Sequence, residues 1–467
     1  MPDPWRVPGV RRAARGREPP APDIAESRCA VTLDPAHRAQ LPILTLQWLA
    51  FALTNTIPVP FVVAAALHLS PAATAALAER IFLVTGVMSL AQALVGHRLP
   101  IVEGPAGMWW GVFVSLGLLA PAVGMSEAHL REALEFGMVA AGALLALAAV
   151  PRRVIRALLS LFTPAVTGGL MILLPAQIAP SIAAALIGSP PSLPRLAVGA
   201  ATFLAVALGA VFGRGVLRST SLLLGVAVGT VLWWAIGLPF TPLARGPALA
   251  LPGVFAWGAP RVLPGVLLPC ILTAVLLLSN VLAALRAMAA VQGEPVGPEA
   301  VRRAILVNGA SIVVSGLLAV PGAIPYASNA GFLSLTRRFE RLPFLLFAAL
   351  LALLGLVPAV GRLVVALPAP VVYAGLLAAM AQLLAIGVAD LAKEGLGLTR
   401  SLLVTAPILL GIGIMGVPEA TWRGLHSPMS FLVGDGMIVG LLLLLLLRPL
   451  ARLGPPDDGP AQERGTA

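Results

Sequence analysis

The few residues able to do chemistry in this chain lie where polar groups are costly. Glu103 sits in Leu99–Gly107, reading L-P-I-V-E-G-P-A-G, and Ser328 and Asn329 sit in Ile324–Arg337, reading I-P-Y-A-S-N-A-G-F-L-S-L-T-R. Both stretches interrupt apolar sequence with Pro and Gly. A carboxyl at membrane depth is expensive and marks function by default; it can carry a proton or accept an N–H. Arg337, Arg338 and Arg341 follow the second stretch and mark a membrane–water interface. Asn329 to Arg337 spans roughly 12 Å as helix, against about 15 Å for half a bilayer core. The break therefore falls near the midplane, where irregular backbone survives only buried in protein or lining a cavity. A transporter's substrate site reads this way; the plainer alternative is a Pro/Gly kink between packed helices.

Other chemistries find no support. His37, His68, His97, His129 and His426 have no metal-ligand spacing with one another or with an acid. Cys29 and Cys270 make neither a disulfide framework nor a metal cluster. Lys393 is the single lysine, so no Walker pattern exists for ATP-driven transport. No helical acidic pair suits membrane transferase chemistry. The reading is not an enzyme and needs no cofactor, a coupling H+ or Na+ aside.

The elements that must position these residues are membrane spans. Of 467 residues, 58% are hydrophobic and 11% charged, with mean hydropathy +0.95. No soluble fold has interior enough for that, so the class is an all-α polytopic membrane protein. With Arg6 to Arg17 placed in the cytoplasm, about 23 of the 31 Lys and Arg fall on that side. The net charge of +11 thus reads as the positive-inside pattern and not as a nucleic-acid surface. Residues 1–40 read as a disordered basic cytoplasmic tail without a removable signal. Apolar segments follow at 41–68, 74–95, 101–120, 132–150, 155–180, 196–213 and 218–238. After a Pro/Gly-rich linker come 263–290, 303–320, 324–336, 343–360, 364–391, 399–416 and 429–447. Fourteen segments put both termini in the cytoplasm and the protein in the cell membrane.

The two sets of seven repeat each other. Leu99-Pro100 to Gly107 faces Ile324-Pro325 to Gly331 with a one-residue offset, and Pro164-A-V-T-G-G169 matches Pro370-V-V-Y-A-G375 without a gap. Seven is odd, so the second half is inverted, and matching broken segments point to a midplane site at the repeat interface. In each break an extended piece leads to a half-helix, from about Ala106 in segment 3 and from Asn329 in segment 10. Two short antiparallel strands there can pair and satisfy backbone groups that lipid cannot. Both half-helices then aim N-terminal N–H groups at one spot, suited to a small ligand with carbonyl or anionic oxygens.

These residues carry a resemblance. The chain resembles the nucleobase–ascorbate transporter family, the uracil and xanthine permease relatives, whose tenth-segment signature is Gln, Glu or Pro followed by N-x-G-x4-T-[K/R/G]. Asn329, Gly331, Thr336 and Arg337 match it, with Ser328 at the variable first position. The G-H-R-L-P of Gly96–Pro100 is similar to that family's third segment. The resemblance spans about residues 41 to 450. It implies a core domain (41–150 and 262–362), a gate domain (151–261 and 363–450), a short tail (451–467) and a homodimer. It also implies a planar base as cargo, held by backbone groups at both breaks, with proton or sodium symport.

On that reading Gly107 and Ser328 N–H groups donate to base carbonyls, and Tyr326, with Ala327 and Ser328 beside it, stacks on the ring. Trp109, Trp110 and Phe332 are further stacking candidates, each weighed against ordinary packing. Asn329 caps the half-helix and braces the breaks, while Thr336 and Arg337 end it. The family's carboxylate on segment 8 has no counterpart: counting back from Asn308-Gly309 puts Ser279 there, with Asn280 beside it. Gln47-Trp48 stands where a Gln-His pair is frequent. Serine accepts weakly and does not titrate, so Glu103 becomes the coupling candidate, weighed against a structural pair with Arg98. Two alternatives stay open: a sulfate-permease-like anion transporter, and an uncoupled facilitator.

Overall fold

The computed structural model describes residues 40–149, 151, 153, 163–188, 190–241, 246–336, 339–393, 398–418, 421–422 and 431–451. Arg337, both tails and His37 and His426 lie outside these residues. The first half runs α1 (Leu41–Thr56), α2 (Pro58–Ala66), α3 (Pro71–Leu94), β1 (Glu103–Pro105), α4 (Gly107–Ala122) and α5 (Glu127–Ala148). It continues with α6 (Pro164–Ile187), α7 (Leu193–Phe212), α8 (Val216–Ser219) and α9 (Ser221–Ala235). The second half runs α10 (Pro264–Leu276), α11 (Leu278–Gln292), α12 (Pro298–Leu317), β2 (Ala323–Pro325) and α13 (Ser328–Thr336). Then come α14 (Arg341–Leu354), α15 (Pro358–Ala366), α16 (Ala369–Ala392), α17 (Leu398–Met415) and α18 (Gly436–Ala451).

Local sequence explains most of these limits. Proline opens α2, α3, α6, α10, α12 and α15, where its missing N–H is no loss. Ser70, Ser126 and Thr163 cap α3, α5 and α6 through their hydroxyls. Among the described residues, seven helical spans are long and apolar enough to cross a membrane, α1 with α2 and α10 with α11 each counting once. An eighth arises if α14 and α15 form one span, although they meet at 85°. The apolar run 343–360 reads as one segment in sequence. Gly355 ends α14 and Pro358 opens α15, which turns the chain there. Four further apolar helices, within α4, α9, α17 and α18, are shorter.

Packing brings the halves together. Helices α6 and α16 lie antiparallel with their backbones touching: a Cβ on Gly168 would sit 2.9 Å from the Gly387 carbonyl oxygen. Small residues permit such approach where lipid offers no hydrophobic drive between helices. Helix α5 packs on α12 and α3 on α14. An aromatic cluster of Trp48, Phe51, Phe332, Phe344 and Phe347 fills the space between α1, α13 and α14. Between these helices the strands pair antiparallel, with Glu103 opposite Pro325, Gly104 opposite Ile324 and Pro105 opposite Ala323.

Candidate functional site

The ribbon is short, and its neighbours complete its hydrogen bonds. Tyr326 N–H donates to the Val102 carbonyl at 3.0 Å and Ala106 N–H to the Gly322 carbonyl at 2.9 Å. Asn308 Nδ2 on α12 donates to the Ala323 carbonyl at 3.0 Å. Asn329 Oδ1 accepts Val102 N–H at 3.3 Å while its Nδ2 donates to the Tyr326 carbonyl at 2.6 Å. Asn329 therefore braces the two strands rather than capping α13, because its side chain turns back across the ribbon. Every strand residue is buried, as irregular backbone inside a membrane must be.

Each strand feeds a half-helix. Helix α4 begins at Gly107, one residue beyond the start expected from sequence, and α13 begins at Ser328, one residue before it. The first N–H groups of each have no intrahelical acceptor and carry partial positive charge. Ala327 and Ser328 are exposed, Tyr326 and Gly107 half-buried. Tyr326 folds its ring over Gly104, where a Cβ would lie 2.7 Å from ring carbon Cε2, and its hydroxyl donates to the Pro105 carbonyl at 3.2 Å. The phenol end of the ring is thereby fixed against β1.

Glu103 is wholly buried, and its partner is His97 rather than Arg98. Leu99 N–H donates to His97 Nδ1 at 3.0 Å. That leaves Nε2 carrying the ring hydrogen, aimed at Glu103 Oε1 at 3.4 Å. Ser89 Oγ accepts Glu103 N–H at 2.9 Å, and Gln92 ties α3 to α12 through the Ala304 carbonyl at 3.0 Å. Glu103 Oε2 is buried without a hydrogen-bond partner among the described residues. Sequence reasoning placed His97 at a segment end and missed this pairing. The signal was available, since a histidine six positions before a buried glutamate can fold back when Arg98 takes a positive φ of 63°.

The other expected residues divide. Ser279 and Asn280 sit in the first turn of α11, just after the break at Leu277, on a helix that packs against β2 and α13. Ser279 spends its hydroxyl on the Leu276 carbonyl at 2.7 Å. Phe332 packs on Trp48 at 4.7 Å and Phe51 at 5.2 Å between ring centres, so its ring is used within the core. Trp109 is fully buried against Gly322, and Trp110 lies beside Gly107. Gly331 has open space where a Cβ would be, and Thr336 ends α13.

The arrangement sets two helix N-termini and a fixed aromatic ring at one strand pair, with an enclosed carboxyl on β1. Comparison with known proteins gives the site its setting. YwdJ of Bacillus subtilis (strain 168) is 30% identical over 409 residues, covering 85% of this chain and 92% of that protein. The uric acid permease PucJ of the same organism is 26% identical over 439 residues, covering 90% of this chain and 94% of its own. Among solved structures, the transmembrane domain of the cyanobacterium bicarbonate transporter BicA superposes with a TM-score of 0.54 at 15% identity. That match covers 90% of this chain and 99% of the domain, and shows a shared fold. The model of the Xan_ur_permease family, described as a permease family, matches residues 39–420, and the chain belongs to that family of multi-pass membrane permeases.

Proposed function

We propose that the chain imports purine-like nucleobases of the xanthine, uric acid and uracil class by alternating access, coupled to a proton or another cation. The observation that carries this reading is the junction of the two half-helices. There, the exposed residues Ala327 and Ser328 and the Tyr326 ring meet at a buried strand pair. A flat base with ring carbonyls fits such a place, its oxygens on the Gly107 and Ser328 N–H groups and its face on Tyr326. Ser279 and Asn280 complete the wall from α11. Glu103, braced by His97, supplies the coupling carboxyl that segment 8 lacks. The uric acid permease PucJ supports the substrate class.

The reading includes fourteen spans as an inverted seven-plus-seven repeat, both termini cytoplasmic, and the core and gate domains stated above. Packing supports it. The contacts α5 with α12 and α3 with α14 exchange under the repeat, as do α7 with α9 and α17 with α18. A helix break at Ile57 answers one at Leu277, and positive φ at Arg98 answers positive φ at Ala319, each just ahead of a strand. The test is uptake of radiolabelled xanthine, uric acid, uracil and sulfate into proteoliposomes, with and without a protonophore. Base uptake that the protonophore abolishes is the expected result. Sulfate uptake without base uptake would overturn the reading in favour of an anion transporter, and base uptake that neither a protonophore nor removal of the sodium gradient changes would make the protein a facilitator.

A further inference from the structure

A second buried carboxyl lies on the side of α4 away from the strands. Asp435, between two glycines at the start of α18, is fully buried, and its Oδ1 accepts Ile438 N–H at 3.0 Å. The Ser115 hydroxyl of α4, the Gln177 side chain of α6 and Met437 N–H also face the carboxyl. None of these groups is titratable or charged, and no cationic side chain among the described residues acts on it. Asp435 Oδ2 and Gln177 Oε1 are both buried without a hydrogen-bond partner among the described residues. A lone carboxylate inside a membrane protein needs a compensating cation, and each orphaned buried oxygen is costly.

We propose that Asp435 is a proton-binding site set between the two halves of the transporter, distinct from Glu103. A proton carried on Oδ2 removes the uncompensated charge and gives that oxygen a hydrogen to donate, which Gln177 Oε1 can accept once that amide turns over. The position gives the site its role. On the core and gate division proposed above, Ser115 belongs to the core and Gln177 and Asp435 to the gate. Ser115 lies eight residues along α4 from Gly107, roughly 12 Å above the substrate junction. The same face of α4 meets Leu174 at Gly107 and Gly111, so this is where the two halves touch. When they separate, Asp435 loses the Ser115 hydroxyl, and a proton held there is exchanged with whichever side has opened. Glu103, by contrast, is enclosed by α3 and β1, which the division puts in one half.

Asp435→Asn is the discriminating variant, because asparagine caps a helix as well as aspartate and keeps the Ile438 bond while removing the titratable oxygen. In proteoliposomes carrying a pH gradient, Asp435→Asn is expected to lower gradient-driven uric acid accumulation by about tenfold or more. Uric acid counterflow, which needs no gradient, is expected to stay within about threefold of wild type. Infrared difference spectra of the purified protein across acid to alkaline pH should show a titrating protonated-carboxyl stretch that Glu103→Gln keeps and Asp435→Asn loses. Accumulation at the wild-type level, or loss of counterflow in a well-folded variant, would overturn the proposal, the latter by placing the Asp435 carboxylate in the translocation step itself rather than in proton coupling. A wild type that carries no base at all would sink the functional reading alone. The infrared band then still decides the proton site, upholding it if the variant lacks the band and overturning it if the band is unchanged.

Discussion

Gly104→Ala is the sharpest test of where the base lies. The new Cβ would meet the Tyr326 hydroxyl oxygen and lie 2.5 Å from ring carbon Cζ, whereas carbons pack at about 3.5–4.0 Å, so the ring must retreat by roughly 1–1.5 Å. The backbone cannot yield, being held on both sides by strand pairing and by Asn329. The ring therefore swings off β1 and gives up its hydroxyl bond to the Pro105 carbonyl at 3.2 Å. Overpacking of this kind costs about 1–3 kcal/mol and the lost hydrogen bond about 0.5–1.5 kcal/mol. If the displaced ring no longer stacks on the base, about 1–3 kcal/mol of binding is lost, a rise in KM of roughly 5- to 150-fold. The assay is initial-rate uric acid uptake by wild type, Gly104→Ala, Tyr326→Ala and the double variant at matched folded protein. The double variant is expected to be no worse than Tyr326→Ala, since both changes act through one ring. A Gly104→Ala protein with KM within about twofold of wild type would refute the stacking role of Tyr326.

Three other expectations follow from the same contacts. Glu103→Gln should change both the KM for base and the pH dependence of uptake, by about tenfold at neutral pH; unchanged values for both would remove Glu103 from the mechanism. Asn329→Ala leaves Val102 N–H without its acceptor inside the membrane, and thermal unfolding in detergent should show a loss of about 1–3 kcal/mol. Stability unaltered by that change would mean that the brace is replaceable. Phe332→Ala should destabilise the Trp48 cluster by about 3–5 kcal/mol with little effect on KM, and the opposite pattern would put that ring in the site.

Much of the architecture was readable because it rests on local punctuation. Pro100, Gly104, Pro105, Pro325 and Gly331 in apolar surroundings can hardly form a straight span, and strand pairing is the way two such breaks satisfy their backbones. The half-helix starts came within one residue for the same reason. What stayed hidden depends on tertiary approach. Arg98 seemed the natural partner for Glu103 by charge, but its backbone turn carries its own side chain outward and leaves His97 inside. Asp435 falls inside the apolar segment 429–447 with no motif to mark it, and only the packing of α4, α6 and α18 shows what encloses it. Phe332 next to Asn329 reads as a site aromatic, yet helical spacing turns it toward Trp48 on α1.

The bond between Val102 and Asn329 joins residues 227 positions apart in the chain. During synthesis the first half is therefore made and inserted long before its complement exists. Until β2 is threaded in, the peptide groups of β1 need a temporary host other than acyl chains, whether the insertion machinery or water held beside it. The strand pair consequently forms only once the second half is being made, and a chain cut short before β2 would be left with a raw edge for quality control to recognise.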